Sequence, residues 1–219
     1  MSEERKGFVE LVTGVLRRPK ETFQYVSEKD LARGLVMVFL MVVLAAVSAS
    51  TYMSKIPLEV LVPQLGQAGV DASQLGGSMG LFAGIGVAVS ILIGFAASTL
   101  LMHGVATLTG GGGNMKRFFA MHGFAATPHV LNYMVRLVDS FISSPSQLAG
   151  YFVANRDIEN SVLRAVVGTN LFTVFGLAAL IYITYALAEN YQIGRRKAFI
   201  IALMPYILYL AVNLFSPTG

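Results

Sequence analysis

Residues 34–54 read GLVMVFLMVVLAAVSASTYMS. These 21 residues contain no Asp, Glu, Lys or Arg, and roughly 20 helical residues suffice to cross a hydrocarbon core about 30 Å thick. The charged segment in front, with seven Lys/Arg and six Asp/Glu in the first 33 residues, is too long and too acidic for a cleavable signal. The small residues Ser48-Ala49-Ser50 therefore do not mark a cleavage site. The stretch reads as a retained transmembrane helix running from Leu31 to Met53.

The rest of the chain has the same character. Of 219 residues, 55% are hydrophobic and 13% charged, about half the charge of an ordinary soluble domain, and the mean hydropathy is +0.65. A lipid solvent accommodates this apolar surface where water would not. The net charge of +4 points to no nucleic-acid partner, because basic residues on one side are what membrane topology requires. The absence of cysteine excludes disulfides, thiolate metal sites, thiol nucleophiles and S-palmitoylation.

Four more apolar stretches follow. No Asp, Glu, Lys or Arg occurs between Asp71 and Lys116. The helical part, Met79 to Thr109, would be about 46 Å long and must tilt, break or protrude. The third span, Phe118 to Val135, is interrupted by His122, His129 and Asn132; the fourth is Ala165 to Ala188 and the fifth Ala198 to Phe215. Segments on the N-terminal side of odd-numbered spans hold twelve Lys/Arg and the alternate segments three. The positive-inside rule then places the N-terminus in the cytoplasm and the C-terminus outside. The expectation is an all-α, polytopic membrane helix bundle with five transmembrane helices. Residues 1–30 form a cytoplasmic amphipathic segment and residues 31–219 the membrane domain. Pro128 and Pro205 kink the third and fifth spans. In the first outer loop, Leu58, Val60, Leu61 and Val62 graze the interface.

Two patterns concern packing. Gly86, Ser90, Gly94 and Ser98 repeat a small residue every four positions, which lets helix backbones approach closely in lipid, within the bundle or across an oligomer interface. Gly80 and Gly84 extend the pattern on a neighbouring face. Near the N-terminus, Phe8, Leu11, Val12, Val15 and Leu16 form one apolar helical stripe, flanked by basic residues that include Arg17 and Arg18. Pro19 ends that helix and can begin a second carrying Phe23 and Val26. The stripe either lies in the membrane interface or packs on the protein's own spans.

Candidate chemistry rests on three histidines. His103 and His122 lie at similar depth on antiparallel spans joined by Gly110-Gly111-Gly112-Gly113-Asn114. His129, seven residues after His122, lies about 20° away on the same face. Glu189 stands at the same end of the fourth span. Ionisable residues in spans usually face the protein interior and often mark function. His103, His122 and Glu189 are thus candidate ligands for a metal such as zinc, or a proton-handling group; the alternative is a hydrogen-bonded interior pair. Arg136 and Asp139 have helical ion-pair spacing. The glycine run lacks the ending of a phosphate loop and reads as a turn. No Ser-His-Asp arrangement or dinucleotide fingerprint is evident.

Several short motifs, in order, resemble the Yip1 family of multi-pass membrane proteins. They are Val15-Leu16-Arg17-Arg18-Pro19-Lys20-Glu21-Thr22-Phe23, Leu101-Met102-His103-Gly104 with Thr109-Gly110-Gly111 and Lys116-Arg117-Phe118, Gly123-Phe124-Ala125-Ala126-Thr127-Pro128, and Arg196-Lys197-Ala198 with Pro205. The resemblance runs from about Val15 to Leu210. It implies five transmembrane helices, a cytoplasmic N-terminus and no known catalytic activity. Eukaryotic members are associated with Rab-type GTPases and vesicle traffic. This chain has only Asp30-Leu31 of that branch's Asp-Leu-Tyr-Gly-Pro motif, which argues against a Rab-type partner. It is closer to a prokaryotic or archaeal member in a plasma membrane.

The expected function is a non-enzymatic scaffold or adaptor with membrane lipids, a further copy of itself or a related membrane protein as partners. The alternative is a small transporter or channel using His103, His122, His129, Asn132 and Glu189.

Overall fold

A computed structural model describes residues 6–57, 60, 72–156, 171 and 173–215. No strand occurs among the described residues. In chain order the elements are α1 (Phe8–Arg17), α2 (Pro19–Tyr25), a 3₁₀ turn (Glu28–Asp30), α3 (Leu31–Lys55), α4 (Ala72–Leu108), α5 (Met115–Ala125), α6 (Thr127–Ile142), α7 (Pro145–Arg156), α8 (Val174–Tyr191) and α9 (Arg195–Phe215). Three stretches, Glu28–Lys55, Gly77–Leu108 and Val174–Tyr191, are long and apolar enough to cross a membrane. Large apolar side chains point outward from α3, α4, α6, α8 and α9, with Phe39 64% and Phe82 70% exposed. Water would penalise such a belt, and lipid does not.

The first span starts at Leu31, where the spacing puts it. The backbone N–H and hydroxyl of Ser27 both donate to Asp30 Oδ2, at 3.0 and 2.9 Å, closing the turn before the helix. The third stretch departs from the single kinked span expected. It divides into α5, 11 residues, and α6, 16 residues. Pro128 sits in the first turn of α6, where its missing N–H leaves no hydrogen bond unmade. In the fourth stretch, residues 165–170 and 172 lie outside the described residues, as do Leu58, Leu61 and Val62 of the first outer loop. Asp139 accepts hydrogen bonds from Tyr52 (2.5 Å) and Ser143 (3.1 Å), which tie α6 to the end of α3.

Helix α5 is the innermost element: from Phe118 to Ala125 only Phe119 is not fully buried. It reaches that position through glycine. A Cβ on Gly34 would stand 2.5 Å from the Ala120 carbonyl oxygen and 2.8 Å from its Cα, and a Cβ on Gly123 would collide with the Gly34 backbone. Lipid tails are as apolar as side chains, so helices in a bilayer associate through such close packing.

The small residues of α4 behave differently from expectation. Gly80 and Gly84 press on α3, where added Cβ atoms would come within 2.7 Å of the Ser50 oxygen and 2.9 Å of the Ala46 oxygen. Gly86 and Gly94 have no neighbouring atom within 4 Å of such a Cβ, and Gly86, Ser90 and Gly94 are exposed. The stripe Gly86, Ser90, Gly94, Ser98 therefore does not pack α4 into this bundle. The contact lies one face over, because only that side of α4 meets α3.

The N-terminal stripe turns inward. Leu11 and Val15 are 1% and 0% exposed, as are Val26 and Phe23, while Phe8 and Val12 pack on the same core. Each fully buried side chain of this size contributes about 1.5–3 kcal/mol, enough to hold two short helices against the bundle. Leu11 and Val15 are thus not available to lipid. Leu16, Arg17 and Arg18 remain exposed. Arg117 of α5 secures the C-terminal end of α2, donating from Nε to the Val26 carbonyl (2.8 Å) and from Nη2 to the Phe23 carbonyl (3.3 Å). A cation on the free carbonyls of a helix end is favourable. Arg33 bridges Asp30 (3.1 Å) and the Lys6 carbonyl (3.0 Å).

Gly34→Ala should destabilise the protein by about 1–3 kcal/mol, because backbone rather than a side chain blocks the new methyl. Gly86→Ala should be neutral or stabilising by up to about 1 kcal/mol. Melting of the two variants in detergent compares them, and equal melting temperatures would contradict the α3–α5 contact.

Candidate functional site

His103 and His122 belong to separate contacts. His103 Nδ1 is 2.6 Å from the Tyr191 hydroxyl of α8. His122 Nδ1 is 2.6 Å from Thr99 Oγ1 of α4. The Phe118 ring lies between them, with its centroid 5.3 Å from that of Tyr191 and 5.9 Å from that of His122. Phe95 stacks on the other side of His122 at 4.6 Å. Glu189 faces Arg117 at 3.7 Å.

This arrangement corrects the expected ligand set. His103, His122 and Glu189 each have a different partner, Tyr191, Thr99 and Arg117. No group of three or more His, Asp or Glu able to hold a metal ion occurs among the described residues.

A different grouping forms instead. A cavity of about 380 Å³ is lined by Gly94, Ser98, His122, His129, Tyr206 and Tyr209, with apolar residues from α3, α4, the α5–α6 break, α8 and α9 filling the walls. That volume falls within the roughly 300–1,000 Å³ of small-molecule sites. The break between α5 and α6 lets both histidines reach it, since Ala126 at the break is itself a wall residue. Asn132 is buried but does not line it. The sequence signal for this site was present in part: the seven-residue spacing of the histidines was legible. The contribution of Gly94 and Ser98, assigned to helix packing, was not.

The turn between α4 and α5 is as expected. Gly110 has φ +90°, a conformation glycine adopts without strain, and Asn114 Oδ1 caps α5 by accepting from the Arg117 N–H at 3.0 Å. Lys197 at the start of α9 donates to the Thr109 carbonyl. Arg117, Glu189 and Lys197 thus stand at one basic end of the bundle, beside α1 and α2.

Thr99→Val removes the partner of a buried imidazole and should cost about 1–3 kcal/mol, whereas Thr99→Ser, which keeps the hydroxyl, should lose much less. Thermal unfolding of both variants measures the difference; identical losses would mean that the methyl group, not the hydrogen bond, matters.

No curated protein and no solved structure matches the chain. The family model described as the Yip1 domain matches residues 13–216, which takes in the second half of α1, the buried glycine crossing, both histidines of the cavity and α9. The chain, an integral membrane protein, belongs to the Yip1 family.

Proposed function

We propose that the protein is a non-enzymatic membrane scaffold or adaptor that recruits partners or lipid at its basic end. The observation carrying this reading is the division of labour on α1. Leu11 and Val15 fix the helix to the bundle, while Val9, 71% exposed, and Leu16, 38% exposed, face outward beside exposed Arg17 and Arg18. An apolar patch with adjacent cations on a rigid support suits an anionic membrane surface or an acidic partner.

In this reading the chain has five spans, an N-terminus in the cytoplasm, a C-terminus outside and a place in a plasma membrane. Support comes from the twelve-to-three charge asymmetry. The cytoplasmic segment, residues 1–30, and the membrane domain, residues 31–219, act as one unit because Phe23 and Val26 complete the core. A homo-oligomer, if it forms, uses Gly86 and Ser90, the part of the stripe outside the cavity.

Since α1 and α2 are core elements, deleting them would dismantle the bundle, and surface substitutions give the cleaner test. Val9→Asp with Arg17→Glu and Arg18→Glu should leave melting unchanged while reducing co-sedimentation with anionic liposomes and changing the proteins that co-purify in mild detergent. Unchanged binding and an unchanged partner set would refute the reading.

A second reading, a small transporter or channel, is favoured by one observation, the shared cavity of His122 and His129. His103 and Glu189 lie outside it. Flux in proteoliposomes that disappears in His122→Ala would establish this reading over the scaffold.

A further inference from the structure

The cavity between α4, α6 and α9 has a definite hydrogen-bonding character. Thr99 Oγ1 donates to the Phe95 carbonyl at 2.6 Å, and Ser98 Oγ donates to the same oxygen at 3.1 Å. A hydroxyl has one proton. We assign the Thr99 proton to its own helix, so that its oxygen accepts from His122 Nδ1, 2.6 Å away. The imidazole then carries its proton on Nδ1, and Nε2 is a bare lone pair. Ser98, at the cavity wall, likewise offers only lone pairs. Two acceptors thus belong to residues that line the same space.

The walls narrow the choice of ligand further. None of the described lining residues is Asp, Glu, Lys or Arg. An ion or zwitterion entering there would lose its hydration without meeting a counter-charge. A ketone, ester or ether head could accept from the Tyr206 hydroxyl but would leave the lone pairs of His122 and Ser98 without a donor. A neutral hydroxyl group meets both requirements, because it supplies the missing proton and carries no charge. The His122 ring is held between Phe95 and Phe118, so its acceptor is already oriented before a ligand arrives.

The route of entry is also defined. Gly94 lines the cavity, is exposed, and has no neighbouring atom within 4 Å of an added Cβ. Its neighbours Leu92 and Ile93 are 50% and 64% exposed and belong to the lipid-facing belt. The mouth therefore opens toward acyl chains rather than toward either aqueous side.

We propose that this cavity binds a neutral, lipid-soluble alcohol that enters from the bilayer beside Gly94 and donates its hydroxyl proton to His122 Nε2 or Ser98 Oγ. The inference does not depend on partner recruitment at the basic end, and it assigns a ligand to a site that the scaffold reading leaves unused.

The test uses the full chain in phosphatidylcholine nanodiscs with a diazirine-bearing derivative of dodecan-1-ol as the probe. Photolabel should map by mass spectrometry to peptides of α4 and α9 that line the cavity. Unlabelled dodecan-1-ol should compete roughly ten-fold better than dodecyl methyl ether, the difference expected for one hydrogen bond in a buried site. Gly94→Leu, at a position where an added Cβ meets no neighbouring atom, should retain wild-type melting and abolish cavity labelling by filling the mouth. His122→Phe should weaken labelling by roughly ten-fold. Equal competition by the ether would overturn the proposal. So would undiminished labelling in Gly94→Leu, or label spread over the outer faces of α3, α4, α6 and α9, as simple partitioning into lipid would give.

Discussion

The contact of Gly34 with Ala120 and Gly123 is the constraint on which the other packing rests. Two helix backbones meet there with no side chain between them. In water such a crossing would be one contribution among many, because burial alone would drive the helices together. In lipid that drive is absent, and close approach is what brings an element inside. Helix α5 is enclosed because α3 offers it a surface without side chains. Once inside, its Phe118, Met121 and Phe124 form the centre of the core, and the Phe8 ring of α1 packs against Phe124 with a centroid distance of 6.2 Å.

From that placement the remaining features follow. An enclosed α5 presents His122 to Thr99 and to the aromatic rings on either side. The break at Ala126 allows α6 to leave the core and offer its apolar face to lipid, with Val138 61% and Phe141 63% exposed. The same break returns His129 to the level of the cavity. At the opposite end of α5, Arg117 reaches both the end of α2 and Glu189 of α8. One short helix thereby connects the N-terminal hairpin, the cavity and helix α8. This explains why an amphipathic segment that resembles a detachable membrane anchor is integral to the bundle.

Much of the fold was legible in the residues. The apolar runs, the cap at Ser27 and Asp30, the start of α2 at Pro19 and the turn at Gly110 each follow from local chemistry, which a sequence records directly. The inward face of the Phe8 to Leu16 stripe was legible as a face, but its destination was not. An apolar stripe gains from leaving water whether it meets lipid or protein, so periodicity cannot distinguish the two. The reading of α4 carries the same ambiguity. Glycine and serine at four-residue spacing permit a close approach, but a neighbour must be present to make it, and α3 is present only at Gly80 and Gly84.

By itself, then, the sequence determined that the chain is helical, that it belongs in a membrane, and that its basic residues alternate between the segments joining the apolar runs. These properties depend on transfer free energy and backbone hydrogen bonding, which act residue by residue. Only the tertiary structure decided which polar groups share a site. The sequence puts His103 and His122 at similar depth, yet they pair separately with Tyr191 and Thr99, whereas His122, His129, Ser98 and Gly94 line one cavity although no motif links them. Depth along a helix is a one-dimensional quantity that a sequence encodes. Rotation about the helix axis, and the side chains that intervene, are set by packing against neighbours far away in the chain.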